Sequence, residues 1–142
     1  MQDEFNLVRF VEAQAGTYAK ALIEIRHGHK RTHWMWFVFP QIAGLGRSDM
    51  ATHFAITSLA AARAFLAHPV LGPRYYECVA ALQDLIGVSA QEVFGQVDAA
   101  KLRSSLTLFA QAGGAPIIEA ALLRWFGGAD PRTLEILEQQ RG

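Results

Sequence analysis

Apolar residues recur at helical spacing along most of the chain. Phe5, Val8, Val11 and Ala15 follow Asp3 at intervals of three or four, and Tyr18, Leu22 and Ile25 do the same before Gly28. That pattern predicts two amphipathic helices, with glycine as the left-handed stop of the second. Ser48-Asp49 opens a further helical stretch, and Ser58 opens Leu59 to Ala67, which ends at His68-Pro69 because a residue before proline avoids the α region. Leu71-Gly72-Pro73 predicts a turn, with Pro73 as the first helical residue of a segment leading into Arg74 to Ile86. Ser89 and Glu92 stand at capping-box spacing, and Asp98 is expected to cap a helix through Ala110 that Gly113-Gly114 closes. Pro116 to Phe126 and Asp130-Pro131 to Gln140 supply two more, the last with aspartate as cap and proline as first residue.

One stretch does not sort by period. In HWMWFVFP, His33 to Pro40, both period-two faces are apolar, so alternation alone does not separate strand from buried helix. A strand needs partners for its backbone groups, and no other alternating β-branched run is present to pair with it. The expectation is therefore a short buried helix or irregular apolar plug ending at Pro40, within an all-α bundle of about six to eight short helices spanning residues 1–142 as one domain. On that reading Trp36→Ala costs about 3 to 5 kcal/mol, as large-to-small core changes do.

Composition narrows the class. Hydrophobic residues make up 51% of the chain and charged residues 18%, the balance of a sequence that buries a core. Thirteen Lys+Arg against thirteen Asp+Glu leave no global field to attract nucleic acid or anionic lipid, so any anion recognition has to be local. Arg63 and Pro40 interrupt the longest apolar stretches well before the ~20 residues of a membrane span. The single Cys78 has no internal partner, and Met1-Gln2-Asp3-Glu4 lacks the basic start of a signal peptide, which makes the cytoplasm the expected location.

Candidate chemistry concentrates around the aromatic stretch. Trp34 and Trp36 either fill the core or wall a ligand site, and His33 and Gln41 stand beside them as partners for a buried indole N–H. Gly44-Leu45-Gly46-Arg47-Ser48 precedes a helix start and so suggests a phosphate cradle, but it matches neither nucleotide-binding fingerprint. Ser48 as cap and Asp49 in the first turn would compete with such an anion. Between Arg26 and His33, six of eight residues are Arg, Lys or His, yet Gly28 breaks the helix there and no nearby carboxylate or cysteine completes a tetrahedron, so no metal is expected. Lys30 or Arg31 could contact a phosphate, and the neighbouring tryptophans could stack with RNA bases only if exposed. Ser104 and Ser105 lie three and four residues after Lys101 on one helix, which admits a serine–lysine pair or serines bonded back to helix carbonyls.

The run Gly28-His29-Lys30-Arg31-Thr32-His33-Trp34-Met35-Trp36-Phe37, with Phe39-Pro40-Gln41 and Gly44-Leu45-Gly46, resembles the signature of the bacterial domain-of-unknown-function family eighteen-ten, whose members are often labelled calpastatin. Arg9 to Gln14, His68 to Arg74, Phe94-Gly95 and Lys101 to Phe109 extend the likeness over essentially the whole chain. The resemblance implies a small, mainly helical fold and no established activity. The calpastatin label fits poorly, because such inhibitors are extended disordered chains. The family pattern includes His33, Trp34, Trp36, Gln41, Gly44, Gly46, Arg74, Lys101, Ser104, Ser105 and Thr107 but not His27 or His29.

Those residue types suit an anionic, phosphorylated or nucleotide-like small molecule: Trp34 or Trp36 as wall, Arg47, Arg74 and Lys101 as cations, His33 as proton carrier. No cofactor is implied. Two other readings stand beside this one, an interaction module or homo-oligomer with an exposed apolar patch, and a weak RNA contact through the basic turn, the latter disfavoured by the balanced charge.

Overall fold

The computed structural model describes residues 3–141; Met1 and Gln2, which enter the reading of the N-terminus, lie outside them. The periodic segments fold as α1 (Val8–Ala15), α2 (Tyr18–Arg26), α3 (Met35–Val38), α4 (Asp49–His53), α5 (Leu59–Ala67), α6 (Leu71–Gln83), α7 (Ala90–Gln111), α8 (Pro116–Phe126) and α9 (Pro131–Arg141). Among the described residues the chain is therefore all-α, with nine helices, one more than the upper bound expected. The one β feature among those residues is an isolated parallel bridge between Ile42 and Ile56. No helix among the described residues is long and apolar enough to cross a membrane.

Several boundaries follow the anticipated caps. Ser48 and Ser58 each accept the N–H three residues on, at 3.1 Å. Ser89 and Glu92 form the reciprocal box, and Asp130 Oδ2 accepts from Thr133 N at 3.0 Å. Two starts move. The Asp3 carboxylate takes the N–H groups of Leu7 and Val8 at 2.7 and 2.8 Å, so α1 begins at Val8 rather than Phe5. At α6 the cap is an imidazole: His68 Nδ1 accepts from Val70 N and Leu71 N at 3.0 and 3.2 Å. The helix consequently starts at Leu71, two residues ahead of expectation, and Pro73 sits in a first turn where no N–H is needed.

α7 packs against α3, α5, α8 and α9, while α6 packs against α2, α5 and α8. Between them the buried rings touch in succession. Phe54 meets Phe10, Phe10 meets Phe65, and Phe65 meets Tyr75 and Phe109. Tyr75 then meets Phe39, Phe39 meets Trp34, and Trp34 meets Phe94 edge-on at 6.3 Å between centroids. The apolar plug is thus a one-turn helix at the centre of the core. It is not uniformly buried. Trp34, Met35, Phe37, Val38 and Phe39 face inward, but Trp36 is half-buried and His33 is exposed. Successive residues on a single helical turn point about 100° apart, so one turn cannot bury every side chain in a row.

Candidate functional site

The loop between α2 and α3 is built around one carboxylate. Glu24 lies on the buried face of α2 with Ala21 and Ile25, and its Oε1 accepts the indole N–H of Trp34 at 2.9 Å and the backbone N–H groups of Arg31 and Thr32 at 2.9 and 3.0 Å. Thr32 Oγ1 donates to Oε2 at 2.7 Å. Burial alone would raise the Glu24 pKa, but these hydrogen bonds to the charged form outweigh it and hold the carboxyl at about 2. The expected partners of the buried indole, His33 and Gln41, are displaced from that role by a residue ten positions upstream.

Facing this loop, α7 breaks at Gly95, where φ is 81° and ψ is 163°, a conformation essentially reserved for glycine. Lys30 N donates to the carbonyl of Val93, two residues before the break, at 2.8 Å, which ties the loop to the break. Lys30 then reaches inward with its side chain only 6% exposed, donating from Nζ to Thr32 O and pairing with Asp98 Oδ2 at 2.8 Å. Asp98 Oδ1 lies 3.5 Å from Lys101 Nζ. The cap predicted at Asp98 is therefore corrected: the residue sits inside α7, past the break, and its carboxylate is shared by two ammonium groups. Gly95→Ala is expected to destabilise the fold by about 1–3 kcal/mol through backbone strain alone, since an added Cβ there meets nothing within 4 Å. Chemical denaturation giving no loss would mean that the break tolerates a side chain.

Lys101 stands over the ring of Trp36, Nζ 4.6 Å from its centroid, and the His33 ring lies 6.5 Å from the same indole. Trp36 and Lys101, over the buried Met35, form a ridge between two open clefts. The first lobe, about 340 Å³, is lined by Gln41, Gly44, Gly46, Thr52, Thr57 and Arg9 over an apolar floor that includes Phe39 and Phe54. The second, about 380 Å³, is lined by Lys30, His33, Phe94, Gly95, Gln96, Val97 and Asp98. Arg9 spends its donors on structure, reaching the carbonyls of Phe5, Asn6, His53 and Ala55 at 2.6–2.8 Å and so holding the α4–α5 connection that walls the first lobe. Asp98 is the one carboxylate among the residues lining either lobe.

Of the residues singled out in the sequence, His33, Trp36, Gln41, Gly44, Gly46 and Lys101 meet along these lobes. Four others do not. Trp34 is fully buried, so it offers no wall to a ligand and no platform to a base. Arg74 lies over the Tyr18 ring at 4.8 Å and donates to Gln14 Oε1 at 3.3 Å, away from both lobes. Arg47 is exposed and lines neither. Ser105 is buried against the Tyr75 hydroxyl at 3.0 Å. Ser104 shares its hydroxyl with the carbonyls of Ala100 and Lys101 and accepts from Gln41 Nε2, so it positions the Gln41 amide. Neither serine is hydrogen-bonded to the Lys101 amine, which removes the nucleophile–base pairing.

The glycine-rich turn is resolved in favour of its packing role. Ser48 caps α4 as described, and a Cβ on Gly46 would fall 2.5 Å from Ala51 Cβ, so glycine is required there for close approach of the turn to α4. The five-residue α4 with Asp49 in its first turn is a capped helix rather than a phosphate cradle. Among the described residues no cluster of three or more metal-ligating side chains occurs. Cys78 is fully buried, and burial raises its thiol to about 12, in keeping with core packing.

Residues unassigned by sequence reasoning are Glu24, Thr52 and Thr57, and Asp98 was assigned another role. Glu24 carries a visible signal: it falls three residues after Ala21 on the inward face of an amphipathic helix, where a charge is out of place unless it organises polar neighbours. Asp98 carries only half a signal: Lys101 follows it by one helical turn, but its closer partner, Lys30, is distant along the chain.

The family described as a protein of unknown function, DUF1810, matches residues 4–137. The fold is similar to the crystal structure of the conserved hypothetical protein Rv1873 from Mycobacterium tuberculosis, with 48% sequence identity, a TM-score of 0.92, and coverage of 96% of this chain and 99% of that one. No curated protein matches the chain in sequence.

Proposed function

Because the chain belongs to the DUF1810 family, whose description assigns no activity, we propose its function from the cleft itself: it binds a small phosphorylated or nucleotide-like anion at the Trp36–Lys101 ridge. The observation that carries this reading is the charge balance at the ridge. Two lysines share the single Asp98 carboxylate, at 2.8 Å for Lys30 and 3.5 Å for Lys101, and Lys101 is the looser partner, next to a half-buried indole. An incoming anion would take up the uncompensated positive charge while a planar group rests against Trp36, combining electrostatic and stacking contacts. Lys30, enclosed and held by Thr32 and Asp98, fixes Asp98; Lys101 is the contact cation. His33, on the rim of the second lobe, would be the proton carrier in any turnover of the bound compound.

A thermal-shift screen against nucleotides, sugar phosphates and dinucleotides tests the reading. A ligand at one hundred times its Kd adds about 2.7 kcal/mol of stability, which for a chain of this size is a rise of roughly 5–10 °C in Tm. The rise is expected to vanish in Lys101→Met and to persist in Arg74→Ala, whose guanidinium lies outside both lobes. Uniform silence across all three compound classes, or an undiminished shift in Lys101→Met, would remove the ridge as a binding site.

A further inference from the structure

Resting on that reading, we infer that the ligand is two-armed: a phosphodiester- or pyrophosphate-bridged molecule whose anionic bridge sits at Lys101 and whose two organic arms occupy the two lobes. The lobes are not separate sites with separate cations. They adjoin at one ridge, and Met35, Trp36 and Lys101 line both. Each lobe, at about 340 and 380 Å³, lies near the lower end of the roughly 300–1,000 Å³ span of small-molecule pockets. Either can take a nucleoside-sized arm, and neither alone has room for two.

The polar character of the lobes differs in the way a bridged ligand requires. In the first lobe Gln41, Thr52 and Thr57 offer uncharged hydrogen-bonding groups over an aromatic floor, while the Arg9 guanidinium is taken up by backbone carbonyls. That is a setting for a ring or sugar rather than a terminal phosphate. In the second lobe Asp98 neutralises much of the charge of Lys30, and the wall continues through Phe94, Gly95 and Val97. With the Arg9 donors spent on carbonyls and Lys30 held by Thr32 and Asp98, the cation with donors left for an anion is Lys101, on the ridge between the lobes. A mononucleotide would fill one lobe and leave the other to solvent, whereas a bridged molecule engages both with its charge centred, and joining the arms raises affinity because the second arm binds intramolecularly.

The test is titration calorimetry of the full chain with a pyrophosphate-bridged dinucleotide, a dinucleoside joined by one phosphodiester, the matching mononucleotide and inorganic pyrophosphate. At least one bridged compound is expected to bind tenfold or more tighter than the mononucleotide and than pyrophosphate; the tighter of the two identifies the bridge. Val97→Trp and Thr52→Trp, both at exposed positions on the rims of the second and first lobes, should each reduce the bridged compound to the affinity of the mononucleotide, with unliganded Tm reporting that the variants fold. Equal binding of the mononucleotide and both bridged compounds would overturn the two-armed ligand while leaving anion binding at the ridge intact. Retention of the bridged compound's advantage in both tryptophan variants would overturn the assignment of arms to lobes. Binding by none of the four compounds would overturn both the two-armed ligand and the ridge reading beneath it.

Discussion

Trp34→Ala is expected to destabilise the protein by about 3–5 kcal/mol, the range for removing a large aromatic from a close-packed core. Trp34 is 0% exposed and packs between Phe39 and Phe94, so truncation opens a cavity at the point where the plug meets α7. It also removes one of the donors that stabilise the Glu24 carboxylate. Trp34→Phe separates the two contributions by keeping most of the ring volume and deleting the N–H, and its loss should be closer to the roughly 1.5–3 kcal/mol of a hydrogen bond to a charged group. Trp36→Ala, by contrast, is expected to cost only about 1 kcal/mol, because a half-buried ring leaves no enclosed void. The cost expected from sequence for Trp36 thus belongs to its neighbour two residues before it. Urea denaturation of the three variants decides the matter: a Trp36→Ala loss as large as that of Trp34→Ala would mean that the ridge is core and not a ligand wall.

Glu24 is expected to make the fold sensitive to acid. Its folded pKa of about 2 lies below the ordinary 4.5, so the charged form contributes stability that is fully present above about pH 4.5 and is lost as pH falls toward 2. The difference corresponds to about 3 kcal/mol at neutral pH. Glu24→Gln keeps the shape but not the charge: its carbonyl oxygen can still accept from Trp34, Arg31 and Thr32 N, but a neutral acceptor is weaker and its NH2 replaces the oxygen that accepts from the Thr32 hydroxyl. The wild-type chain should therefore exceed the glutamine variant in stability by the largest margin near neutral pH, and the margin should narrow as pH falls through the acid range. A margin that stays constant between about pH 6 and pH 3 would show that the carboxylate is not held ionised by this nest. The same hydrogen bonds set the loop that places Lys30 beside Asp98, so loss of Glu24 is expected to weaken the anion binding proposed at the ridge as well as stability.

Most helix ends were legible because a helix terminus is a short-range chemical problem. Ser48, Ser58, Ser89 and Asp130 each satisfy an N–H within three residues, and such a bond depends on little beyond the local sequence. Legibility failed where a cap came from an uncommon group or from a distance, as with His68 at the start of α6. At the candidate site, His33, Trp36, Gln41, Gly44, Gly46 and Lys101 were legible as residue types, whereas the exclusion of Arg47, Arg74 and Ser105 was not. A cation in a list of motifs carries no direction, and Arg74 is turned toward Tyr18 and Gln14 by the packing of α6 on α2.

Read along the chain, apolar periodicity and cap chemistry were enough to require a helical protein with its aromatic segment at the centre, since both are set by neighbours within a turn or two. They could not say that Trp34 faces the core and Trp36 the solvent, that Glu24 holds the loop, or that Lys30 and Lys101 converge on Asp98. The Glu24 nest closes over seven to ten residues through an irregular loop, and the Lys30–Asp98 pair and the seat of Trp34 against Phe94 arise from the break at Gly95 and from contacts across 60 to 70 residues between the α2–α3 loop and α7. They depend on the angle at which elements meet, a property of the folded whole that no local pattern encodes.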